Sequence, residues 1–302
     1  MKAKIYDFFF ILSKQIYRGM LFFKVFAKLP FGFIYGLSDL ISFLLEHIFR
    51  YRRAVIDTNL KNAFPDFNQS QINLIRKKFY KNLSDVFLET IMLLEIDEND
   101  LKLRIELENE SLILGLMAKY NVVILTTSHL CNWEWLGQRV HLAIGLDAVY
   151  KPLNNAFFDK LMLDIRSKFG LFPVAIKQIL REVIKRKKIS RAIGLISDQT
   201  PETPESAYWT QFLNQETPFA NGADKLARAF NYPVVYIEMT RIGRGKYKAS
   251  YILLSEPPYD EYFTEEITQR FVDMLAESIG KNPSDWLWSH KRWKHKKSDY
   301  GI

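Results

Sequence analysis

Residues 121–135, NVVILTTSHLCNWEW, form the stretch that decides the fold of this 302-residue chain. The run Val122–Thr127 is short, apolar and β-branched, which is typical of a buried strand. The strand is predicted to end just before His129, and a helix is predicted to begin near Trp133. Open α/β sheets bind their ligands at the carboxyl ends of their strands, so we expect His129 to lie at a ligand site.

Glu134 follows His129 by five residues and lies one turn into the predicted helix. A carboxylate at this position could fold back onto the imidazole, fix its tautomer and raise its basicity. The spacing therefore predicts that His129 is a general base and that Glu134 orients it. A purely structural histidine is the alternative that the spacing alone leaves open.

Two other chemistries are considered for the same stretch. His129, Glu134 and His141 could hold a metal ion, but no His-x3-His or Glu-x-x-His pair at helical spacing accompanies them. Cys131 could be a nucleophile, but only two residues from His129 its side chain should point away from the imidazole. A lone cysteine is more often a small buried residue of the core. As the single cysteine of the chain, Cys131 excludes an intramolecular disulfide and a thiolate metal cluster, and fits a reducing compartment.

Strands and helices alternate along the chain beyond residue 121. Strands are predicted near 122–127, 147–150, 192–197, 234–240 and 247–253. Helices are predicted near 133–145, 155–169, 175–188, 220–230 and 264–280. This alternation predicts an α/β fold, with a mostly parallel central sheet that helices cover on both faces. The last two strands, joined around Gly243–Gly245, are expected to form an antiparallel hairpin.

Two further helices are predicted upstream of this region. The first covers 53–63, and the second runs from a cap at Asn68 or Ser70 through Leu94. Residues 97–111, rich in Glu and Asn, are interpreted as a linker that precedes another short helix.

The first fifty residues contain the densest aromatic sequence, with FFFIL at 8–12 and LFFKVFAKLPFGFIYGLSDLISFLLEHIF at 21–49. No secretory cleavage site is evident, and charged residues interrupt every window of about 18 residues. This alternation of charged and apolar residues best fits a segment that inserts into one leaflet of a membrane. The alternatives are a tilted membrane span across 29–45 and a Phe-rich pair of core helices. We therefore predict an N-terminal membrane-associated helical segment (1–50) and one catalytic domain (51–302).

The chain has 42 basic and 34 acidic residues, a net charge of +8, which suits an acidic partner. Lys177–Lys188 is predicted to be a basic amphipathic helix that docks an acidic carrier or anionic headgroups, or is simply solvated. The tail Trp286–Lys294 mixes indoles with cations, as at a membrane interface or on a phosphate-bearing glycolipid. The buried sheet and the membrane-like start weigh against nucleic-acid binding. The docking candidates are Lys185, Arg186, Lys187, Lys188 and Arg292.

More polar residues follow other predicted strands. Asp198-Gln199 comes after the strand near 192–197, and so lies at a carboxyl edge unless it only caps a turn. Tyr150 and Lys151 follow the strand near 147–150, and Arg166 lies on the next helix. A guanidinium there could face a phosphate or a developing oxyanion, or solvent.

Six blocks, taken in order, carry a family resemblance. They are Arg53–Leu60 with Ala63-Phe64-Pro65; His129–Glu134; Tyr150-Lys151-Pro152 with Asn155 and Arg166; Asp198-Gln199; Thr217-Pro218 to Leu226-Ala227; and Pro283–Lys294. In this order they resemble the bacterial lipid A biosynthesis late acyltransferases, the lauroyl/myristoyl group, over about residues 35–296. That group is related to the glycerolipid acyltransferases with a His-x4-Asp/Glu block. The chain departs from the pattern at Tyr120-Asn121, where a Gly-Lys pair is frequent, and at the insertion Thr200–Ser206.

The resemblance implies transfer of a fatty acyl group from the thioester of acyl carrier protein to a hydroxyl of a lipid A precursor. The reaction is expected at the cytoplasmic face of the inner membrane, without a metal, an organic cofactor or a covalent acyl-enzyme. His129 would be the base and Glu134 its partner, and the residues expected at the oxyanion or the substrate are Asn132, Arg166, Asp198, Gln199, Tyr150 and Lys151.

Other functions remain open at this point. The acceptor could be another membrane lipid, such as an aminolipid or a phosphoglycolipid, and the donor could be acyl-CoA. From other classes, the chain could be an inactive lipid-binding or scaffold protein, or a metal-dependent hydrolase.

Overall fold

A computed structural model describes residues 19–259 and 265–301. The helices are α1 (19–26), α2 (Phe31–Phe43), α3 (Arg53–Ala63), α4 (Gln69–Met92), α5 (Glu98–Arg104), α6 (Glu110–Tyr120), α7 (Trp133–Ile144), α8 (Ala156–Arg166), α9 (Ile179–Lys185), α10 (Gly222–Phe230) and α11 (Glu266–Lys281). The strands are β1 (Ile105–Glu108), β2 (Val122–Thr127), β3 (Leu146–Tyr150), β4 (Phe172–Ala175), β5 (Arg191–Ile196), β6 (Tyr208–Phe212), β7 (Gln215–Phe219), β8 (Val234–Gly243) and β9 (Lys246–Ser255).

Seven of these strands form one sheet, in the order β1-β9-β8-β2-β5-β3-β4. Strands β8, β2, β5, β3 and β4 run parallel to one another. Strand β9 is antiparallel to β8, and β1 is parallel to β9, so both run the opposite way at one edge. The predicted α/β fold with a mostly parallel sheet is therefore confirmed, as is the hairpin that turns at Gly245, where φ is +66°.

Strand β2 lies in the middle of the sheet and is buried on both faces. Val123 and Leu125 pack into the cluster that contains α2, α4 and α7, whereas Ile124 packs into the cluster that contains α3, α10 and α11. A strand covered on both faces is expected to be continuously apolar rather than alternating. The run at 122–127 has that pattern, and its burial places the carboxyl end of β2 at the centre of the molecule.

The structure corrects the interpretation of residues 97–111 as a linker, because α5 and β1 lie there. The edge strand β4 was also missed, since Pro173 interrupts its pattern in a position that only an edge strand tolerates. The hairpin β6–β7 was missed because its turn, Leu213-Asn214, has positive φ at both residues without the usual glycine. The basic helix expected over 175–188 is shorter, with a regular α-helix only in α9.

The long helix α4 begins at the predicted cap. Asn68 accepts a hydrogen bond from the Gln71 backbone N–H, and the Gln71 side chain accepts one from the Asn68 N–H. This capping box satisfies two N–H groups that the first helical turn would otherwise leave free.

Among the described residues, one helix, Phe31–Ile48, is long and apolar enough to cross a membrane by length and composition. One side of it is fixed to α4, because Tyr35 donates to Glu89 (3.0 Å) and Ser38 donates to Asp85 (2.6 Å). Its other side exposes apolar side chains that include Phe33, Leu40, Phe43 and Ile48. The boundary predicted between residues 50 and 51 stays a prediction, and residues 8–12 lie outside the described part.

Candidate active site

His129 and Asp198 lie side by side because β2 and β5 are adjacent parallel strands. Thr127 pairs with Ile196, so the residues that follow the two strands emerge at the same edge of the sheet. His129 Nδ1 lies 2.7 Å from Asp198 Oδ1, and the His129 backbone N–H donates to Oδ2 (2.9 Å). The indole N–H of Trp286 also donates to Oδ2 (2.7 Å). The carboxylate of Asp198 is therefore fixed by three contacts.

Asp198 is buried but ionised. Burial by itself would raise the pKa of Asp198, but the charge of His129 and the hydrogen bonds from His129 and Trp286 outweigh it and lower this pKa below its usual value. An ionised carboxylate can only accept hydrogen bonds, so the Nδ1 atom beside it must be protonated and must donate. His129 is thereby held with its proton on Nδ1 and its lone pair on Nε2, the arrangement that a general base needs.

The Nε2 atom of His129 faces Gln199. The side-chain amide nitrogen of Gln199 lies 3.2 Å from Nε2 and donates to it. The His129 side chain is 16% exposed, so part of it is open to a ligand. Asp198 and Gln199, predicted as substrate-binding residues, both contact the histidine in the structure.

The expectation that Glu134 orients His129 is wrong. Glu134 instead forms a two-point ion pair with Arg166, in which Arg166 Nε donates to Oε2 (3.0 Å) and Nη2 donates to Oε1. Burial would lower the pKa of Arg166, but the charge of Glu134 reverses this effect and raises it. Glu134 thus engages two nitrogens of the guanidinium, and the role of Arg166 as an oxyanion donor stays a prediction.

Asn132 is also committed elsewhere. It is fully buried, its Oδ1 accepts the Trp135 N–H (3.0 Å) at the start of α7, and its Nδ2 donates to Glu89 (2.8 Å). Glu89 further accepts from Tyr247 OH (2.6 Å) and Tyr35 OH (3.0 Å). Asn132 is therefore a helix cap, not an oxyanion donor, and Glu89 links α2 to the loop that carries His129. Sequence reasoning missed Glu89 because a carboxylate within a long helix resembles any solvated residue.

The two other chemistries weighed for this stretch find no support. Cys131 is buried, its thiol donates to the Met239 carbonyl (3.5 Å), and burial raises its pKa. His141 Nδ1 accepts the Leu146 N–H (3.0 Å), so His141 does not join His129 and Glu134. In residues 19–259 and 265–301, no group of three or more His, Cys, Asp or Glu side chains could hold a metal ion.

The aromatic and basic tail is partly buried, whereas its residues Lys291 and Lys294 are exposed. Trp286 and Trp288 are buried, and Leu130 forms a β-bridge with Trp286. Arg292, predicted to dock a carrier or phosphate, is fully buried, with a hydrogen bond to the Pro218 carbonyl (2.7 Å). Burial lowers its pKa to about 9.

The remaining docking candidates divide into two groups. Arg186 pairs with Asp147 (2.9 Å) and lies over the Phe172 ring, so it has a structural role, and its docking role stays a prediction. Lys185, Lys187 and Lys188 are exposed, and their docking role stays a prediction.

Tyr150 is the last residue of β3, and Lys151 follows it at the same edge of the sheet. The ring centre of Tyr150 lies 5.6 Å from the guanidinium carbon of Arg166, and exposed Lys151 pairs with Glu202 (2.5 Å). Glu202 belongs to the insertion Thr200–Ser206, so these contacts connect that insertion to β3.

An apolar groove of about 380 Å³ adjoins Trp133, which contacts His129. Trp133 packs edge-on against the His129 ring, with ring centres 4.7 Å apart, and lines the groove together with Glu134 and His290. The rest of the lining is mainly apolar and includes Val86, Phe87, Ile91, Phe158, Leu161 and Ile165. Its volume falls in the usual range for ligand pockets, and its lining suits a hydrocarbon chain.

Comparison with known proteins agrees with this geometry. No curated protein matches the chain. A family model described as bacterial lipid A biosynthesis acyltransferase matches residues 9–295, almost the whole chain. The chain thus belongs to the bacterial lipid A biosynthesis acyltransferase family.

Proposed function

We propose that this chain transfers a fatty acyl group from the thioester of acyl carrier protein to a hydroxyl of a lipid A precursor. The observation that carries the proposal is the His129–Asp198 pair, with Nδ1 and Oδ1 at 2.7 Å, beside an apolar groove. A hydroxyl is a weak nucleophile at neutral pH and needs a base within hydrogen-bonding reach. The groove supplies space for the acyl chain.

In the proposed reaction, the acceptor hydroxyl takes the place of the Gln199 amide at His129 Nε2. Its oxygen attacks the thioester carbonyl carbon as Nε2 takes its proton, and the π electrons of the carbonyl move to oxygen. The intermediate then re-forms the C=O bond and breaks the C–S bond. The departing thiolate takes the proton from Nε2, which gives an ester, a free carrier thiol and neutral His129.

A direct transfer without an acyl-enzyme is favoured by the surroundings of the nearby nucleophiles. Cys131 is buried with a raised pKa, and Ser128 is 1% exposed. Neither could reach a thioester without a rearrangement of the loop. In the proposal Asp198 replaces Glu134 as the residue that orients the base, while the Glu134–Arg166 pair shapes the groove next to Trp133.

The location proposed is the cytoplasmic face of the inner membrane, where α2 lies in the interface. The polar contacts of Tyr35 and Ser38 with α4 would all break if α2 crossed the bilayer apart from the domain. The exposed Phe33 and Phe43 would instead enter one leaflet beside the groove. The net charge of +8 suits both an anionic membrane and an acidic carrier, which the exposed lysines after α9 could contact.

The test is acyl transfer by the purified protein in detergent, with lipid products identified by mass spectrometry. His129→Ala should lower turnover by roughly 10²–10⁴-fold, the usual contribution of general-base catalysis. Cys131→Ala is the control and should keep near-normal activity. A folded His129→Ala variant with normal turnover would refute the mechanism. If the protein acylates another lipid or uses acyl-CoA, the proposed substrates must be changed. If it consumes no thioester, it is a lipid-binding or scaffold protein.

A further inference from the structure

His290 is a second histidine at the groove, and the same loop that holds His129 also holds it. Asp198 and Gln199 contact His129, and the next residue, Thr200, contacts His290. Three consecutive residues after β5 thus fix two imidazoles. His290 and Glu134 both line the groove that is proposed for the acyl chain.

The contacts of His290 define its tautomer. The Thr200 backbone N–H points at His290 Nε2 at 3.3 Å, and a backbone N–H can only donate. Nε2 must therefore carry the lone pair, which leaves the proton on Nδ1. Thr200 Oγ1, also near Nε2 at 3.1 Å, can direct its own proton to the Arg292 carbonyl (3.2 Å). Within the described part of the chain, no hydrogen bond involves Nδ1 of His290.

His290 is kept neutral by its surroundings. Burial, and then the charge of Arg292, lower the pKa of His290 to about 4. A neutral imidazole with its proton on Nδ1 is a hydrogen-bond donor at that atom at physiological pH.

The reaction needs such a donor. The tetrahedral intermediate of acyl transfer carries a full charge on oxygen, and enzymes stabilise it with preorganised N–H groups. Of the donors that the sequence suggested, the Asn132 amide donates to Glu89, and Arg166 donates to Glu134 through two of its nitrogens. Among the described residues, Nδ1 of His290 has no such partner, and His290 lines the groove.

We propose that His290 donates a hydrogen bond from Nδ1 to the carbonyl oxygen of the acyl thioester and to the oxyanion formed from it. His290 keeps its own proton throughout and acts as a catalytic electrophile, while His129 moves the proton of the hydroxyl. The inference rests on the proposed acyl transfer and adds a residue to it.

Two substitutions separate this role from a structural one. The side-chain amide of Asn lies where Nδ1 of a histidine lies, whereas the longer Gln places its amide near Nε2. His290→Asn can thus still donate to the substrate, and His290→Gln can still accept the Thr200 N–H. If His290 donates, kcat should fall by roughly 10²–10³-fold in His290→Gln, the usual loss of one oxyanion donor. In His290→Asn the loss of kcat should be smaller by a factor of at least about ten. KM should change little in both variants. His295→Asn and His295→Gln are matched controls, since His295 contacts Tyr300 and does not line the groove.

The opposite order, with His290→Gln as active as or more active than His290→Asn, would show that His290 only supports Thr200 and would overturn the proposal. Near-normal activity of both variants would overturn it as well. Should either variant fail to fold, ¹⁵N NMR of the wild-type protein decides, because a proton on Nε2 or a charged ring at pH 7 contradicts donation from Nδ1. If the wild-type protein transfers no acyl group, the proposed function fails, and the NMR tautomer still tests His290 separately.

Discussion

Replacing Asp198 by Asn should inactivate the site through the tautomer of His129. The carboxylate of Asp198 now accepts from His129 Nδ1 at one oxygen, and from the His129 and Trp286 N–H groups at the other. Asn has one accepting oxygen, and two N–H donors compete for it. The amide should therefore turn its oxygen to them and its NH₂ group to Nδ1. Nδ1 of His129 must then accept a hydrogen bond from this NH₂ group, so the imidazole proton moves to Nε2. A protonated Nε2 cannot take a proton from a hydroxyl.

The expected loss of kcat is about 10⁴-fold, the size seen when the orienting Asp of a Ser-His-Asp triad becomes Asn. The stability loss should be only about 1–3 kcal/mol, the usual penalty for one impaired buried hydrogen-bonding group. The assay is acyl transfer from acyl carrier protein to a lipid A precursor, with thermal unfolding as a check on the fold. ¹⁵N NMR of His129 reports the tautomer directly.

Glu134→Gln is the informative comparison, because the sequence alone assigned the orienting role to Glu134. We expect this variant to leave the proton of His129 on Nδ1. The reasoning is refuted if Asp198→Asn stays within about tenfold of wild-type turnover, or if only Glu134→Gln moves the proton to Nε2.

Two further predictions concern the groove and the membrane. The losses of unfolding free energy caused by Glu134→Gln and Arg166→Gln should be non-additive, because each substitution removes the same ion pair. A double-mutant cycle should give a coupling energy of about 1–3 kcal/mol. Additive losses would contradict the pairing. Phe43→Ser, on the exposed side of α2, should weaken partitioning into anionic vesicles by roughly tenfold or more, since burial of a Phe side chain contributes about 1.5–3 kcal/mol. The equally exposed Leu180→Ser, on α9 across the sheet, should have little effect, and equal losses for both would argue against interfacial insertion of α2.

The fold was largely predictable because a buried parallel strand has a distinctive local pattern. The run 122–127 matches β2 residue for residue, and helix 53–63 matches α3. Elements whose stability depends on long-range contacts were not predictable. Strand β1 has only four residues and is held by its register with β9, more than a hundred residues away.

Most of the residues discussed at the candidate site were singled out from the sequence, but the carboxylate that contacts His129 was not correctly assigned. His129, Glu134, Arg166 and Asp198 were all identified from the sequence, but His129 was assigned to the wrong carboxylate. Proximity along the chain favoured Glu134, whereas the adjacency of β2 and β5 places Asp198 at Nδ1. Strand order in a sheet is set by three-dimensional packing, and a single sequence contains no direct record of it.

The bridge between Leu130 and Trp286 has a consequence for biosynthesis. Trp286 holds Asp198, and the Asp285 carbonyl accepts the Cys131 N–H, so the loop that carries the base is closed by a segment more than 150 residues downstream. A ribosome makes the apolar N-terminal helices first and this segment near the end. The N-terminal helices are therefore available well before His129 is aligned, and under the proposed function acyl transfer could not begin until synthesis is nearly finished.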